Sequence, residues 1–378
     1  MAEACGDAVR GPVALRLRPP RTGWEALSRK ALFFLIRQWQ SHFHETIHVL
    51  PFPPAQGFRA PEELHAGDVF ARAVIADAFC DADPLVEGQL APLLATEAVE
   101  LLGRRRTSGI GGWSYFPTVI ELPPDADDLA QMITLLVRTR RWNDLRDYCV
   151  EPLRVLLRDC ARGDGSYETW IIPATGRDEE QRLQAEWVNR AWGSGADVEV
   201  VANLLHALVL FDRKRFQREI EQGVEFLLSR QESDGSWSST WYWGPFYGTF
   251  AVLRLLASTG NIQFLPAVRA AVAKLTSAQR ADGGWGDHDG SDPLSTALAL
   301  CALSFVGTLP MPILERAFSY VDRTCTPDGG WPACPFIRMN LGRATGQVHQ
   351  VLSFGSRCVT TAYMMKAAIV AHLRVESL

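Results

Sequence analysis

Gln231-Glu-Ser-Asp-Gly-Ser-Trp237, Gln279-Arg-Ala-Asp-Gly-Gly-Trp285 and Thr324-Cys-Thr-Pro-Asp-Gly-Gly-Trp331 are three copies of one loop. Two weaker copies, Gly111-Gly-Trp113 and Gly163-Asp-Gly-Ser-Tyr167, extend the series toward the N-terminus. Such self-similarity is read before any single element, because it means that one supersecondary unit is used several times. Each copy follows a stretch of helical period, at 86–102, 145–160, 213–230, 265–279 and 312–323. Each is followed by a second, more apolar stretch, at 127–137, 197–209, 246–256, 292–303 and 356–369. Residues 25–39 and 68–79, joined by the Pro-rich segment 50–61, add a sixth pair.

The two members of a pair differ in character. The first carries many charges, as in Arg213-Lys-Arg-Phe-Gln-Arg-Glu219, and suits a helix with one wet face. The second is nearly all small or apolar and suits a helix covered on every side. Asp68, Asp197, Ser356, and Asp292 followed by Pro293, read as caps of these second helices. Strand signals are poor. The predicted fold is therefore all-α, an (α/α)6 barrel or toroid of six helix pairs, with an apolar inner ring inside an amphipathic outer ring. Its loops use Gly in a left-handed conformation to end the outer helix, and Trp to plug the space between pairs. Residues 24–378 form this single domain, and residues 1–23 are a partly disordered lead-in.

The 378 residues are 47% hydrophobic with a net charge of −5, and only four of the 38 basic residues are Lys. That balance, with no basic stripe, argues against a nucleic-acid partner. No apolar run approaches the ~20 residues of a membrane span, and the N-terminus lacks a signal-peptide core. Eight scattered Cys without a zinc spacing read as reduced thiols, and a cytoplasmic location is expected. Arg104–Arg106 and Arg138, Arg140 and Arg141 are candidates to meet a diphosphate, or else exposed helix ends. The polar turn Asp287-His-Asp-Gly-Ser-Asp292 reads as a helix-capping turn rather than a metal site.

The loop pattern Gln-x3-Gly-x-Trp on an α/α barrel resembles the repeats of the squalene-hopene cyclase and class II terpene cyclase superfamily, over about residues 24–373. Two segments carry the resemblance further. In Gly111-Gly-Trp-Ser-Tyr-Phe-Pro-Thr-Val-Ile-Glu-Leu-Pro-Pro-Asp-Ala-Asp-Asp128 a Gly-Gly-Trp loop runs into Asp-x-Asp-Asp at the head of an inner helix. The resemblance implies that Asp127 is the general acid that protonates an alkene or epoxide, flanked by Asp125 and Asp128. The second segment, Gly235-Ser-Trp-Ser-Ser-Thr-Trp-Tyr-Trp-Gly-Pro-Phe-Tyr-Gly-Thr249, resembles a cyclase stretch whose Trp and Tyr border the acid, here Trp243 and Tyr247. The gap between them is shorter than in the family. The squalene cyclases also place a His against the acid; the matching helix here has Val near that position, with Glu199 and Asn203 as its polar candidates. Six pairs are expected to leave no room within these residues for the second domain of larger relatives, and no match to the zinc set of protein prenyltransferases is found.

Protonating an alkene takes a carboxylic acid that is both protonated and strong, in a site shielded from water. With Asp125 capping the helix and Asp128 held as an anion by first-turn N–H groups, their charges raise the proton affinity of Asp127. Aromatic faces stabilise the cation by ~0.5–2 kcal/mol each. Trp170, Trp243, Phe246, Tyr247 and Trp331 are expected to line its path, as are Tyr115, Phe116, Trp187, Trp192 and Trp241. Residues 338–350 are expected to form a mobile flap over the mouth.

The leading expectation is a class II-like terpene cyclase acting on a linear isoprenoid, either a prenyl diphosphate or a polyprene. It needs no metal or other cofactor, with Mg2+ admitted if the substrate is a diphosphate. Its partner is the small-molecule isoprenoid, with peripheral membrane contact open and the oligomeric state unassigned. The alternatives are a non-catalytic isoprenoid- or partner-binding toroid and, more remotely, a carbohydrate-active α/α barrel with Asp127 and Glu168 as paired carboxylates.

Overall fold

The computed structural model describes residues 10–377, apart from 12, 14, 60–63, 261–265, 288 and 308. Its helices fall into the six expected pairs. They are α1 (Gly23–Gln40) with α2 (Val69–Ala82), α3 (Ala91–Gly103) with α4 (Ala126–Arg138), and α5 (Trp142–Tyr148) running on into α6 (Val150–Asp159). An additional helix, α7 (Glu179–Trp187), precedes α8 (Val198–Asp212), the inner partner of α5 and α6. The last three pairs are α9 (Gln217–Ser229) with α10 (Phe246–Thr259), α11 (Pro266–Ser277) with α12 (Pro293–Phe305), and α13 (Met311–Thr324) with α14 (Arg357–Glu376). The inner helices α2, α4, α8, α10, α12 and α14 each pack on the next, and α14 packs back on α2, so the ring is closed.

The repeated loop holds this arrangement by a fixed set of hydrogen bonds. Trp113, Trp237, Trp285 and Trp331 are fully buried. Their indole N–H groups donate to Leu101, Leu227, Leu275 and Val321, carbonyls near the C-terminal end of the preceding outer helix, at 2.7–3.1 Å. Each indole thus ties a helix-end carbonyl to the loop while filling the wedge between pairs. Backbone N–H groups of the last three Trp donate to Thr249, Thr296 and Thr361 on the inner helices. The leading Gln side chains tie each loop to the next outer helix: Gln231 donates to Ala267 and Gln279 to Ile313. The left-handed glycine sits in the turn, past the helix end; at Gly283 (φ 91°) a Cβ would lie 2.1 Å from the Arg316 carbonyl. Among the expected caps, Ser356 and Asp292 accept from the third helical N–H. Asp68 and Asp197 do not, because Arg72 and Arg104 engage the first and Thr169, Trp241 and Arg343 the second.

Two antiparallel hairpins, absent from the sequence reading, lie beside the ring: β1 (His48–Pro51) with β2 (Leu64–Gly67), and β3 (Pro335–Leu341) with β4 (Gln350–Gly355). The expected flap is the tip of the second. It is latched by Arg343, whose guanidinium donates to both oxygens of Asp197 at 2.8 and 3.0 Å and stacks over Trp241. Together with α7 and the π-turn Val188–Trp192, the hairpins supply a second apolar cluster that covers one end of the barrel. The other end is filled by ion pairs in which Arg138 and Lys366 meet Asp77 and Asp81. Residues 1–9, 12 and 14 of the expected lead-in lie outside the described residues, while Arg10 is buried and pairs with Glu100. No described helix is long and apolar enough to cross a membrane.

Candidate active site

A cavity of about 640 Å³ lies under the hairpins. Its walls are aromatic: Phe58 stacks on Trp187 with centroids 4.3 Å apart, Phe52 meets Phe116 at 5.0 Å, and Trp170 meets Trp241 edge-on at 5.6 Å. Indole N–H bonds from Trp170 to Gly193 and from Trp192 to Glu121 fix the rings. Asp125, Asp127 and Asp128 all reach the cavity, at the head of α4.

Asp125 caps α4, accepting from the Asp128 N–H at 2.7 Å. Asp127, 7% exposed, has both oxygens engaged. Asn203 Nδ2 donates to Oδ1 at 2.7 Å, and the Tyr242 hydroxyl meets Oδ2 at 2.5 Å. Asn203 is itself oriented: its Oδ1 accepts from Arg254 at 2.8 Å, and its Nδ2 also faces the Tyr247 hydroxyl at 3.1 Å. Burial pushes the Asp127 carboxyl up to about 6, against the Tyr242 and Asn203 hydrogen bonds and the Arg254 charge, which pull it down. Burial also raises Asp125 to about 7. Asp128 departs from the expectation of an anion. Neither of its oxygens has a hydrogen-bond partner, and burial beside Asp125 and Asp127 holds its carboxyl well above the usual range. All three carboxyls are raised by burial and lie in one cluster, so they share protons as a unit.

Several expected cavity residues lie elsewhere. Trp243 is 36% exposed, outside the cavity against Arg338, because the bridge between Tyr242 and Ile337 turns Tyr242 inward instead. Trp331 is one of the four structural plugs. Phe246 is buried in the barrel core at the start of α10. Tyr247 stacks behind Tyr242 at 3.8 Å and touches the acid only through Asn203. Glu199 accepts from the Thr240 and Trp241 backbone N–H groups and so shapes the loop that carries Tyr242. Trp170 does line the cavity, as do Tyr115, Phe116, Trp187, Trp192 and Trp241. Tyr242 is the residue the sequence reading missed; its signal was being the only hydroxyl-bearing ring in Trp241-Tyr-Trp243. Glu168, the second carboxylate of the glycosidase reading, pairs with Arg162 and Gly195 away from the cavity. Arg104, Arg106 and Arg138 are engaged by Asp68, Glu180 and Asp77. Among the described residues no cluster of His, Cys, Asp or Glu is placed to hold a metal.

The profile of the squalene-hopene cyclase C-terminal domain matches residues 189–336. A probable squalene–hopene cyclase from Sinorhizobium fredii is 32% identical over 247 residues, covering 58% of this chain and 36% of the relative. A drimenyl diphosphate synthase from Streptantibioticus cattleyicolor is 30% identical over 253 residues, covering 65% of this chain and 42% of the relative. The chain thus spans about two fifths of the length of these curated relatives. A variant of the type II terpene cyclase MstE from Scytonema, solved with its substrate geranylgeranyl dihydroxybenzoate, superposes with a TM-score of 0.70. At 18% identity it covers 93% of this chain and 98% of the other, a likeness of fold. Along part of its length the chain is thus similar in sequence to the class II terpene cyclases. Its fold is the α/α toroid of the type II terpene cyclases.

Proposed function

We propose that this protein cyclises a linear isoprenoid by protonation, with Asp127 as the general acid. The observation that carries the reading is Asp127 itself. It is a buried carboxyl with proton affinity near neutrality, facing an aromatic cavity and held by two side-chain hydrogen bonds. In the first step the π electrons of the terminal double bond take the Asp127 proton, forming a C–H bond and leaving a carbocation. The new carboxylate is stabilised by Asn203 Nδ2–H and the Tyr242 hydroxyl, while Arg254 holds the Asn203 carboxamide in the donating orientation. Successive double bonds then attack the cation, and the aromatic walls stabilise the migrating charge and exclude water. In this reading Asp125 and Asp128 maintain the proton inventory of the triplet, and Trp170 belongs to the cation-facing wall.

The substrate class is a linear isoprenoid, a prenyl diphosphate or a polyprene, taken into the cavity of about 640 Å³. Diphosphates enter the test because a relative is named for a diphosphate product. The reaction calls for no cofactor, and Mg2+ would accompany only a diphosphate substrate. The test is incubation with farnesyl diphosphate, geranylgeranyl diphosphate and squalene, with and without Mg2+, wild type beside Asp127→Asn, and products read by gas chromatography–mass spectrometry. Cyclic product from the wild type alone supports the proposal; equal turnover by Asp127→Asn refutes it.

A further inference from the structure

A cyclisation that begins by adding a proton has to lose one if its product is an alkene. Most polar groups at the cavity are unsuited to take it. The three aspartates are the proton source, and Tyr242 is bound to Asp127. Arg190, Gln56, His349 and Gln350 are exposed at the rim. Tyr115 differs from all of these. Its ring lines the cavity, and its hydroxyl lies 3.1 Å from Nδ1 of His48.

His48 sits at the start of β1, 6% exposed, opposite Gly67 in β2. It is wedged among rings: it stacks on Phe354 of β4 at 4.4 Å with planes 12° apart, and meets Tyr115 and Phe116 at 5.7 and 5.5 Å. Gly67 makes this close approach feasible, since a Cβ there would lie 2.0 Å from the Tyr115 carbonyl oxygen. The surroundings suit an unprotonated imidazole, and burial pulls the ring down to about 4. A neutral imidazole with its proton on Nε2 accepts from the Tyr115 hydroxyl through Nδ1. From the other side the tyrosine is influenced by Asp68, Asp125 and Asp128.

Resting on the cyclase reading above, we propose that Tyr115 is the terminating base of the cascade and that His48 positions and activates it. A C–H bond beside the final cation breaks, and its electron pair becomes the product double bond. The proton goes to the Tyr115 oxygen as the hydroxyl proton moves to His48 Nδ1, leaving a neutral tyrosine and an imidazolium. The imidazolium returns its proton to water. One proton enters from Asp127 and one leaves through His48, so the product is an isomer of the substrate. Without this pair the cation persists longer, and a water entering past the exposed rim captures it as an alcohol, losing its proton to bulk solvent.

The experiment compares wild type, Tyr115→Phe, His48→Phe and Asp127→Asn on the same three substrates, reading substrate consumption, melting temperature and the ratio of alkene to hydroxylated product. Tyr115→Phe keeps the ring, and His48→Phe keeps the stack on Phe354, so either variant alone suffices if the other fails to fold. The expected result is an alkene-to-alcohol ratio lower by ~100-fold in the product that each variant forms, the scale of a lost general base. Wild-type product ratios in both variants overturn the assignment. So does an equal loss of all products, which marks a structural role. Cyclic product from the wild type and none from Asp127→Asn keeps the underlying reading intact in either case. No cyclic product from the wild type with any of the substrates removes both.

Discussion

Asn203 Nδ2 lies 2.7 Å from Oδ1 of Asp127, and the oxygen of the same carboxamide accepts from Arg254 at 2.8 Å. The amide cannot rotate without losing both bonds, so its donor edge is fixed on the acid. Replacing Asn203 by Leu removes a donor to the carboxylate formed on protonation, an interaction of about 1.5–3 kcal/mol. The expected outcome is a ~10–100-fold loss in kcat with little change in KM, measured by steady-state product formation.

Arg254→Gln tests the same relay one residue further out. The Arg254 charge pulls the Asp127 proton affinity down. Without it the acid is weaker and stays protonated to higher pH. The activity plateau at low pH should fall, while the descending limb moves to higher pH. Arg254→Lys, which keeps the charge, should restore the position of the limb. A full pH–rate profile of the three proteins decides this.

Asp127 also carries a stability cost. Its carboxyl, ordinarily near 3.8, is raised to about 6 in the folded chain. The unfolded chain therefore releases this proton first. The associated stability is fully present below about pH 3.8 and is lost as pH rises through 6, an amount of ~3 kcal/mol. Asp127→Asn, which cannot ionise, should melt higher than wild type at pH 7–8 and match it near pH 4. Thermal melts across that range test the sign directly.

Trp331 and Trp243 should separate cleanly. Trp331 is fully buried and hydrogen-bonded to Val321, so Trp331→Ala opens a cavity between helix pairs and should cost ~3–5 kcal/mol. Trp243 is exposed and stacks only against Arg338 among the charged groups, and Trp243→Ala should change melting by less than ~1 kcal/mol. Denaturant titration of both variants, with turnover measured alongside, gives the comparison.

Arg343→Met should loosen the hairpin. Losing the charged contact from one guanidinium nitrogen to both oxygens of buried Asp197 costs about 1.5–3 kcal/mol locally. Limited proteolysis within residues 342–349 should accelerate while the cleavage pattern elsewhere is unchanged.

The barrel was legible because its loops repeat and because each residue of the repeat has a mechanical role. Gln231 and Gln279 clamp, the glycines turn, and the tryptophans plug. The acid was legible because Asp125, Asp127 and Asp128 fall at a helix start behind a Gly-Gly-Trp loop. What surrounds the acid was less so. Tyr242 reaches Asp127 through a single bridge to Ile337, a pairing 95 residues apart that no local period announces. The hairpins were missed for a similar reason. Segments such as 48–51 and 64–67 are too short to show alternation, and they are held by packing on α7 and on the Tyr115 loop. Asp68 and Asp197 read as caps, yet nearby arginines and donors outbid the helix N–H groups for them. The extra helix α7 is begun by a capping box from Asp178 and Gln181, a local signal that stands outside the six-pair period.

The closure of α14 on α2 has a kinetic side. Glu45, just past α1, accepts from the Ser356 hydroxyl and the Cys358 N–H at the head of α14, across more than 300 residues. The ring is thus completed by its most distant contacts in sequence, those with the greatest loop-closure entropy. Early pairs can form as they emerge during synthesis, but the acid gains its sealed, low-dielectric surroundings only when the sixth pair docks. A half-made barrel would be a stack of helix pairs with an exposed apolar inner face, sticky and without a water-free chamber. Refolding yield should therefore fall steeply with protein concentration.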